Sequence, residues 1–96
     1  MFVVRLTYTQ SIEKIDEFLI PHRDFLQNLY DEGILLASGP QDPRTGGILI
    51  AKDMDAAAFA EKLKGDPFHT EGLATYEIIK FDPVKHAPVL AGHLVK

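Results

Sequence analysis

Two residues, His22 and Asp66, have the side chains and the surroundings best suited to acid–base chemistry. His22 lies in the stretch LIPHRDFL and continues a series of apolar residues at three- and four-residue spacing, so its ring should face the protein interior. A neutral imidazole on an apolar wall suits a general base near neutral pH. The more ordinary interpretation is a core histidine that hydrogen-bonds a backbone group. The residue type alone leaves both interpretations open.

Asp66 directly precedes Pro67 and Phe68, an order that is typical of a helix start with a capping carboxylate. A carboxylate in such a position can also orient an imidazole or share a proton with it. Nothing in the spacing requires Asp66 and His22 to meet. Both are expected near helix ends in the same layer, so a contact between them is compatible with the predicted fold.

Five further residues are candidates for binding a small molecule: Ser38, Gly39, Pro40, Arg44 and Phe68. The Ser-Gly-Pro run should end a strand, where the serine hydroxyl and the bare glycine backbone allow a ligand to approach closely. The same run also fits a plain turn. Arg44, in the loop QDPRTG, can hold an anionic group through its guanidinium, or it can be an ordinary solvated charge.

No pattern in the sequence indicates a metal or a cofactor. The four histidines are His22, His69, His86 and His93, and their spacing matches no zinc motif. The glycines match neither a dinucleotide fingerprint nor a phosphate-binding loop. The two serines, Ser11 and Ser38, lack the glycines of a nucleophile elbow.

Composition narrows the class of protein. A chain of 96 residues with 46% hydrophobic and 25% charged residues is the size of one globular domain. The formal net charge of −4 and the lack of a basic run argue against binding to nucleic acid or to an anionic membrane. The alternating N-terminus is typical of a strand rather than of a signal peptide, and no apolar run approaches a membrane span. A cytoplasmic location is the default expectation.

The elements that must position these residues follow from periodicity and turn signals. The first helix should run from Ile12 to a C-terminal Gly33, and Pro21 should kink or restart it. A second helix should start at Asp53 or Asp55 and end at Gly65, and a short helical turn should follow Asp66. The predicted strands are residues 1–9, 34–37, 47–51 and 73–81.

This order, β-α-β-β-α-β, predicts an α+β ferredoxin-like fold with a four-stranded antiparallel sheet and helices on one face. The other face of the sheet also carries apolar residues, so we expect two sheets to pack against each other in a homodimer. Residues 1–83 should form the domain. Residues 84–96 should form an arm that packs on its own subunit or on the partner.

Several short motifs together resemble the YCII-related (YciI-like) family of dimeric α+β barrels. They are His22 in PHRDFL, Ser38-Gly39-Pro40, Asp66-Pro67-Phe68 followed by Gly72, and the closing strand to Phe81-Asp82-Pro83. The resemblance implies a ferredoxin-like fold that assembles as a dimer. It also implies a pocket beside a catalytic His and Asp pair.

Carried onto this chain, the resemblance implies that His22 and Asp66 are catalytic and that Ser38 and Gly39 line the pocket. Lyase or isomerase chemistry on small, often aromatic, molecules is the implied activity, for example the dehydrochlorination of hydroxylated rings. Many relatives have an arginine three residues before the histidine, where this chain has Leu19. That anion contact is absent here unless another arginine (Arg23, Arg5 or Arg44) replaces it.

Two other functions remain open at this point. The same fold could be a non-catalytic module that binds a small ligand or drives oligomerisation, with His22 as a satisfied core residue. A haem- or flavin-linked oxygenase of a related barrel is a third alternative, although no residue here favours it.

Overall fold

The structure, a computed structural model, describes residues 1–93, so the last three residues of the predicted C-terminal arm lie outside it. Within these residues, four strands and four α-helices follow one another, and a short 3₁₀ helix comes last. Their bounds are β1 Phe2–Tyr8, α1 Ile12–Glu17, α2 Leu19–Asp31, β2 Leu35–Pro40, β3 Gly46–Ala51, α3 Ala56–Leu63, α4 Pro67–Thr70, β4 Ala74–Lys80 and the 3₁₀ helix Pro88–His93.

The strands form one antiparallel sheet in the order β2-β3-β1-β4. Alternation along β1 assigns the two faces, because Phe2, Val4 and Leu6 are buried whereas Arg5 is exposed. The buried set packs with residues of α2 and α3 in a single core. The predicted ferredoxin-like α+β fold, with a four-stranded antiparallel sheet, is therefore confirmed.

The first helical segment is broken three residues earlier than expected. The prediction of a kink or restart at Pro21 was wrong in position, because the break lies at Phe18, which has φ −110° and ψ 9° between α1 and α2. In an unbroken helix, the ring of Pro21 would clash with the carbonyl of Glu17. Restarting the helix after Phe18 places Pro21 in the first turn of α2, where its missing N–H is not needed.

Gly33 ends α2 as predicted. Its φ of +75° is a left-handed conformation that glycine adopts without a Cβ penalty. The N–H of Gly33 donates to Tyr30 and the N–H of Ile34 donates to Leu29, the two bonds of a Schellman motif. This turn directs the chain into β2 alongside the helix.

Strand β2 is longer than predicted. Ser38, Gly39 and Pro40 do not end it as a turn but pair with Leu49, Ile48 and Gly47 of β3 in regular register. A proline is tolerated there because β2 is an edge strand. The side chain of Ser38 therefore lies on the same sheet face as Leu49, under α2.

The remaining sheet face carries a row of apolar side chains across three strands. Val3 of β1 is paired with Ile50 on one side and with Ile79 on the other. Ile79 is 47% exposed in the single chain. The described part of the C-terminal arm is also largely exposed, with Val84 at 84% and Val89 at 79%. Packing of this arm on a partner stays a prediction.

Within residues 1–93, none of the helices combines the length and the apolar character needed to cross a bilayer. The cytoplasmic location expected from the sequence stays a prediction.

Candidate active site

His22 occupies the first turn of α2, and its ring lies between the helix and the sheet. Its backbone N–H already donates to the carbonyl of Phe18 over 3.0 Å, so it is not one of the free N–H groups of that turn. The residue is only 8% exposed. Its ring lies flat on the ring of Phe68, with centroids 3.8 Å apart and planes 2° from parallel. Packing therefore fixes the orientation of the imidazole before any ligand binds.

Asp66 meets His22 directly. Asp66 caps α4, where its Oδ1 accepts the N–H of Phe68 over 3.0 Å, as the Asp-Pro-Phe order predicted. The same Oδ1 lies 2.7 Å from Nδ1 of His22. Asp66 is fully buried, so these partners replace the water that a carboxylate would otherwise bind. One residue thus caps a helix and holds an imidazole at the same time.

A third donor, Tyr76 of β4, completes the surroundings of the carboxylate. Its hydroxyl donates to Oδ2 of Asp66 over 2.6 Å. Burial, and secondarily the charge of Asp66, raises the pKa of Tyr76 far above its usual value, so the hydroxyl keeps its proton. Sequence reasoning missed Tyr76. The available signal was the two-residue period of β4, which puts Tyr76 on the helix-covered face opposite Leu6.

The hydrogen bonds that Asp66 accepts determine which ring nitrogen of His22 carries hydrogen. Both oxygens of Asp66 accept hydrogen bonds, so Nδ1 of His22 must be the donor in the third bond. In the neutral ring, this leaves Nε2 with a free lone pair. Among the described residues, no group hydrogen-bonds Nε2.

His22 lines a cavity of about 450 Å³ between α2 and the β2–β3 side of the sheet. The size is within the range of small-molecule sites. The lining is mixed, with both apolar and polar side chains. Its residues are Leu6, Tyr8, Leu19, His22, Arg23, Leu26, Ser38, Gly39, Pro40, Arg44, Gly47, Ile48, Leu49 and Phe68.

The cavity brings together every candidate binding residue from the sequence, namely Ser38, Gly39, Pro40, Arg44 and Phe68. Of the two catalytic candidates, His22 lines the cavity, whereas Asp66 lies behind the imidazole and does not reach it. The hydroxyl of Ser38 lies 2.7 Å from that of Tyr30, which fixes its position in the wall.

Two arginines border the cavity. Arg44 donates to Asp16 over 2.7 Å and lies over the ring of Tyr8, and this bond to Asp16 is the main cause that raises its pKa. Arg23 lines the same cavity without an ion-pair partner among the described residues. Arg5 lies on the opposite sheet face, paired with Glu77 at 2.7 Å, and does not line the cavity, so it cannot supply the anion contact that was considered in place of Leu19.

In residues 1–93, no three histidine or carboxylate side chains come together in an arrangement that could hold a metal ion. The site can nevertheless perform acid–base chemistry with its own groups. A proton can be taken up at Nε2, and the resulting imidazolium would be balanced by the buried carboxylate.

Comparisons with known proteins agree with this architecture. The model of the YCII-related domain matches residues 1–82. A solved structure of 5-chloro-2-hydroxyhydroquinone dehydrochlorinase from Burkholderia phenoliruptrix, in complex with 2,5-dihydroxybenzoquinone, superposes with a TM-score of 0.71. It is 20% identical, and the match covers 90% of this chain and 94% of that one, which shows a shared fold. No curated protein matches. The chain belongs to the YCII-related family.

Proposed function

We propose that this protein is a small-molecule enzyme of the lyase or isomerase type in which His22 is the general base and acid and Asp66 orients it. The observation that carries the proposal is that Nε2 of His22 has no hydrogen-bond partner among residues 1–93, while Asp66 and Phe68 hold the buried ring at the wall of a cavity. No buried side-chain nitrogen or oxygen among the described residues lacks a hydrogen-bond partner, so Nε2 is accessible from the cavity, where a substrate can reach it. The alternative, a module that binds a ligand without turning it over, uses the same cavity.

The proposed reaction is a proton transfer that needs no added oxidant or reductant. Nε2 takes a proton from an acidic C–H or O–H of the substrate, and the imidazolium formed is stabilised by Asp66. In an elimination, the electron pair released expels a leaving group as an anion. In an isomerisation, the same proton returns to another atom of the substrate.

The cavity favours a small ring that carries hydroxyl or anionic substituents. Leucines and Phe68 supply apolar contacts. The guanidinium of Arg23, which has no ion-pair partner within residues 1–93, can bind an anionic oxygen or a departing anion. The solved structure that shares the fold is a 5-chloro-2-hydroxyhydroquinone dehydrochlorinase. We therefore propose hydroxylated, including chlorinated, aromatic rings as the substrate class.

The test measures turnover of a panel of chlorinated and unchlorinated hydroquinones. Turnover is monitored through the chloride released and through the absorbance of the quinone formed. His22→Gln should lower kcat by about 10²–10⁴-fold, the usual contribution of a general base. The control is His86→Gln, which removes an exposed histidine of the C-terminal arm and should not change kcat. Full turnover by His22→Gln would exclude the proposal. Binding of panel members with no turnover by the wild-type protein would favour the module.

We also propose that the protein is a homodimer formed by the open sheet face. The row of Ile50, Val3 and Ile79 supports this, because a contiguous apolar strip on a sheet is rarely left exposed. Arg5 and Glu77 pair on the same face, so the strip would meet its symmetry copy with its charges already balanced. The interface would lie on the side of the sheet opposite the cavity.

A further inference from the structure

Tyr76 is placed where it can control the His–Asp pair without touching a ligand. It is not among the residues that line the cavity, yet its hydroxyl donates to the carboxylate that holds His22. The bond of 2.6 Å to Oδ2 is short for a hydroxyl donor, as is usual when the acceptor is charged. Asp66 has no exposed surface, so no water can take the place of this donor.

The division of bonds between the two carboxylate oxygens gives each donor a separate task. Oδ1 receives the helix N–H of Phe68 and the ring N–H of His22, and Oδ2 receives only Tyr76. Rotation of the carboxylate about its Cβ–Cγ bond would break all three bonds. The hydroxyl therefore locks the plane in which Oδ1 faces Nδ1.

We infer that Tyr76 is a positioning residue of the proposed acid–base site, holding the Asp66 carboxylate in orientation and stabilising its charge while His22 gains and loses a proton. The inference rests on the proposed function for its catalytic meaning. The alternative is a purely structural tyrosine, which fills space under β4 and satisfies a buried oxygen.

The two roles differ in their effect on proton affinity. Without its extra proton, the His22–Asp66 pair carries a net charge of −1, all of it on the buried carboxylate. With the proton, the pair is neutral overall, wherever the proton sits. The hydroxyl of Tyr76 stabilises the charged state more than the neutral one. Removing the hydroxyl of Tyr76 must therefore raise the pH at which the His22–Asp66 pair loses its extra proton.

Other ionisable groups near the assembly have to be controlled. From α4, His69 contacts the ring of Tyr76 edge-on, with centroids 5.8 Å apart. On the cavity side lie Arg23 of α2, Tyr8 of β1 and Arg44 of the β2–β3 loop with its partner Asp16. Of these, His69 is the group that touches the ring of Tyr76, so it is removed in a parallel variant, His69→Gln.

The experiment compares Tyr76→Phe with wild type in two ways: by the imidazole NMR signals of His22 against pH, and by the pH dependence of kcat. Tyr76→Phe should raise the midpoint of the His22 titration curve by about one pH unit, which is a tenfold change in proton affinity. This is the order expected for one hydrogen bond to a charged group. KM should stay within about twofold, because Tyr76 does not reach the cavity, while kcat falls about tenfold. His69→Gln should leave the midpoint unchanged.

Tyr30→Phe is the matched control, since it also deletes a tyrosine hydroxyl with a 2.7 Å bond, but one that ends on Ser38. It should leave the midpoint unchanged. If Tyr76→Phe does not fold, Tyr76→3-fluorotyrosine keeps the hydroxyl and makes it a stronger donor, so the midpoint should fall instead. An unchanged midpoint in the folded Tyr76 variant overturns the inference.

The two proposals fail separately. A Tyr76 variant with an unchanged midpoint, beside an inactive His22→Gln, removes the role of Tyr76 and leaves the enzyme. A shifted midpoint beside a fully active His22→Gln keeps the coupling through Asp66 but removes the catalytic function.

Discussion

At the scale of single residues, the site depends on a contact that no local pattern contains. His22 and Asp66 are 44 positions apart, and each has a sufficient local explanation, as a core position and as a helix cap. From their residue types, the sequence could identify both as candidates for acid–base chemistry. It could not show that they share a hydrogen bond, because that depends on how α2 and α4 pack. Tyr76 was missed for the same reason, since a tyrosine on a strand is ordinary in isolation.

Tyr76 also makes a prediction about stability in alkaline solution. Its pKa is raised on folding, by burial first and by Asp66 second, so the folded state holds the proton more tightly than the unfolded state. The stabilisation is complete below the unfolded value of about 10 and is lost progressively as pH rises above it. Above pH ~10, the unfolding free energy of wild type should fall by about 1.4 kcal/mol per pH unit more steeply than that of Tyr76→Phe. Denaturant unfolding at several pH values measures this, and equal slopes would contradict it.

At the scale of elements, most of the layout could be predicted because turn and cap residues are explicit in the sequence. Gly33 ends α2 and Asp66 starts α4 where expected. The errors lie where tertiary pairing overrides local signals. In isolation, the run Ser38-Gly39-Pro40 is typical of a turn, but in the fold it pairs with β3 as a strand. Proline is tolerated there because β2 is an edge strand, where one side of the backbone needs no hydrogen bond.

The position of Pro21 in the first turn of α2 can be tested by exchange of prolines. Pro21→Ala should cost only about 0.4–1 kcal/mol of unfolding free energy, because the proline breaks no hydrogen bond there and acts mainly through the unfolded state. The control moves the proline into the exposed helix interior. Gln27→Pro should cost about 3 kcal/mol or more. If Pro21→Ala instead raised the unfolding free energy by about 3 kcal/mol in urea unfolding, Pro21 would lie in a helix interior and the restart at Phe18 would be wrong.

The start of β3 is held by a glycine that has no room for a side chain. A Cβ at Gly46 would overlap the carbonyl oxygen of Leu6 in β1, and neither backbone can move without breaking the sheet. Gly46→Ala should therefore lower the unfolding free energy by about 1–3 kcal/mol. Gly92→Ala, where nothing lies within 4 Å, is the control and should change stability little. If Gly46→Ala has the same melting temperature as the wild-type protein, this description of the packing is wrong.

At the scale of the whole molecule, the prediction concerns assembly through the open sheet face. Analytical ultracentrifugation should give the wild type the mass of a dimer at micromolar concentration. Ile50→Glu would place a charge in the apolar row, beside Val3, and should yield monomers. Ile20→Glu, on a residue 71% exposed at the surface of α2, should leave the dimer intact. A monomeric wild type, or a dimer unaffected by Ile50→Glu, would show that this face is not the interface.

The central claim is that Nε2 of His22 is the unprotonated ring nitrogen that faces the ligand cavity. Long-range proton–nitrogen NMR of the imidazoles tests it directly, first in the free protein above neutral pH and then with 2,5-dihydroxybenzoquinone as a probe of the cavity. We expect hydrogen on Nδ1, an unprotonated Nε2 in the free protein, and a change in the Nε2 signal when the probe binds. A ring protonated at Nε2 in the free protein, or an Nε2 signal unchanged by bound probe, would contradict it.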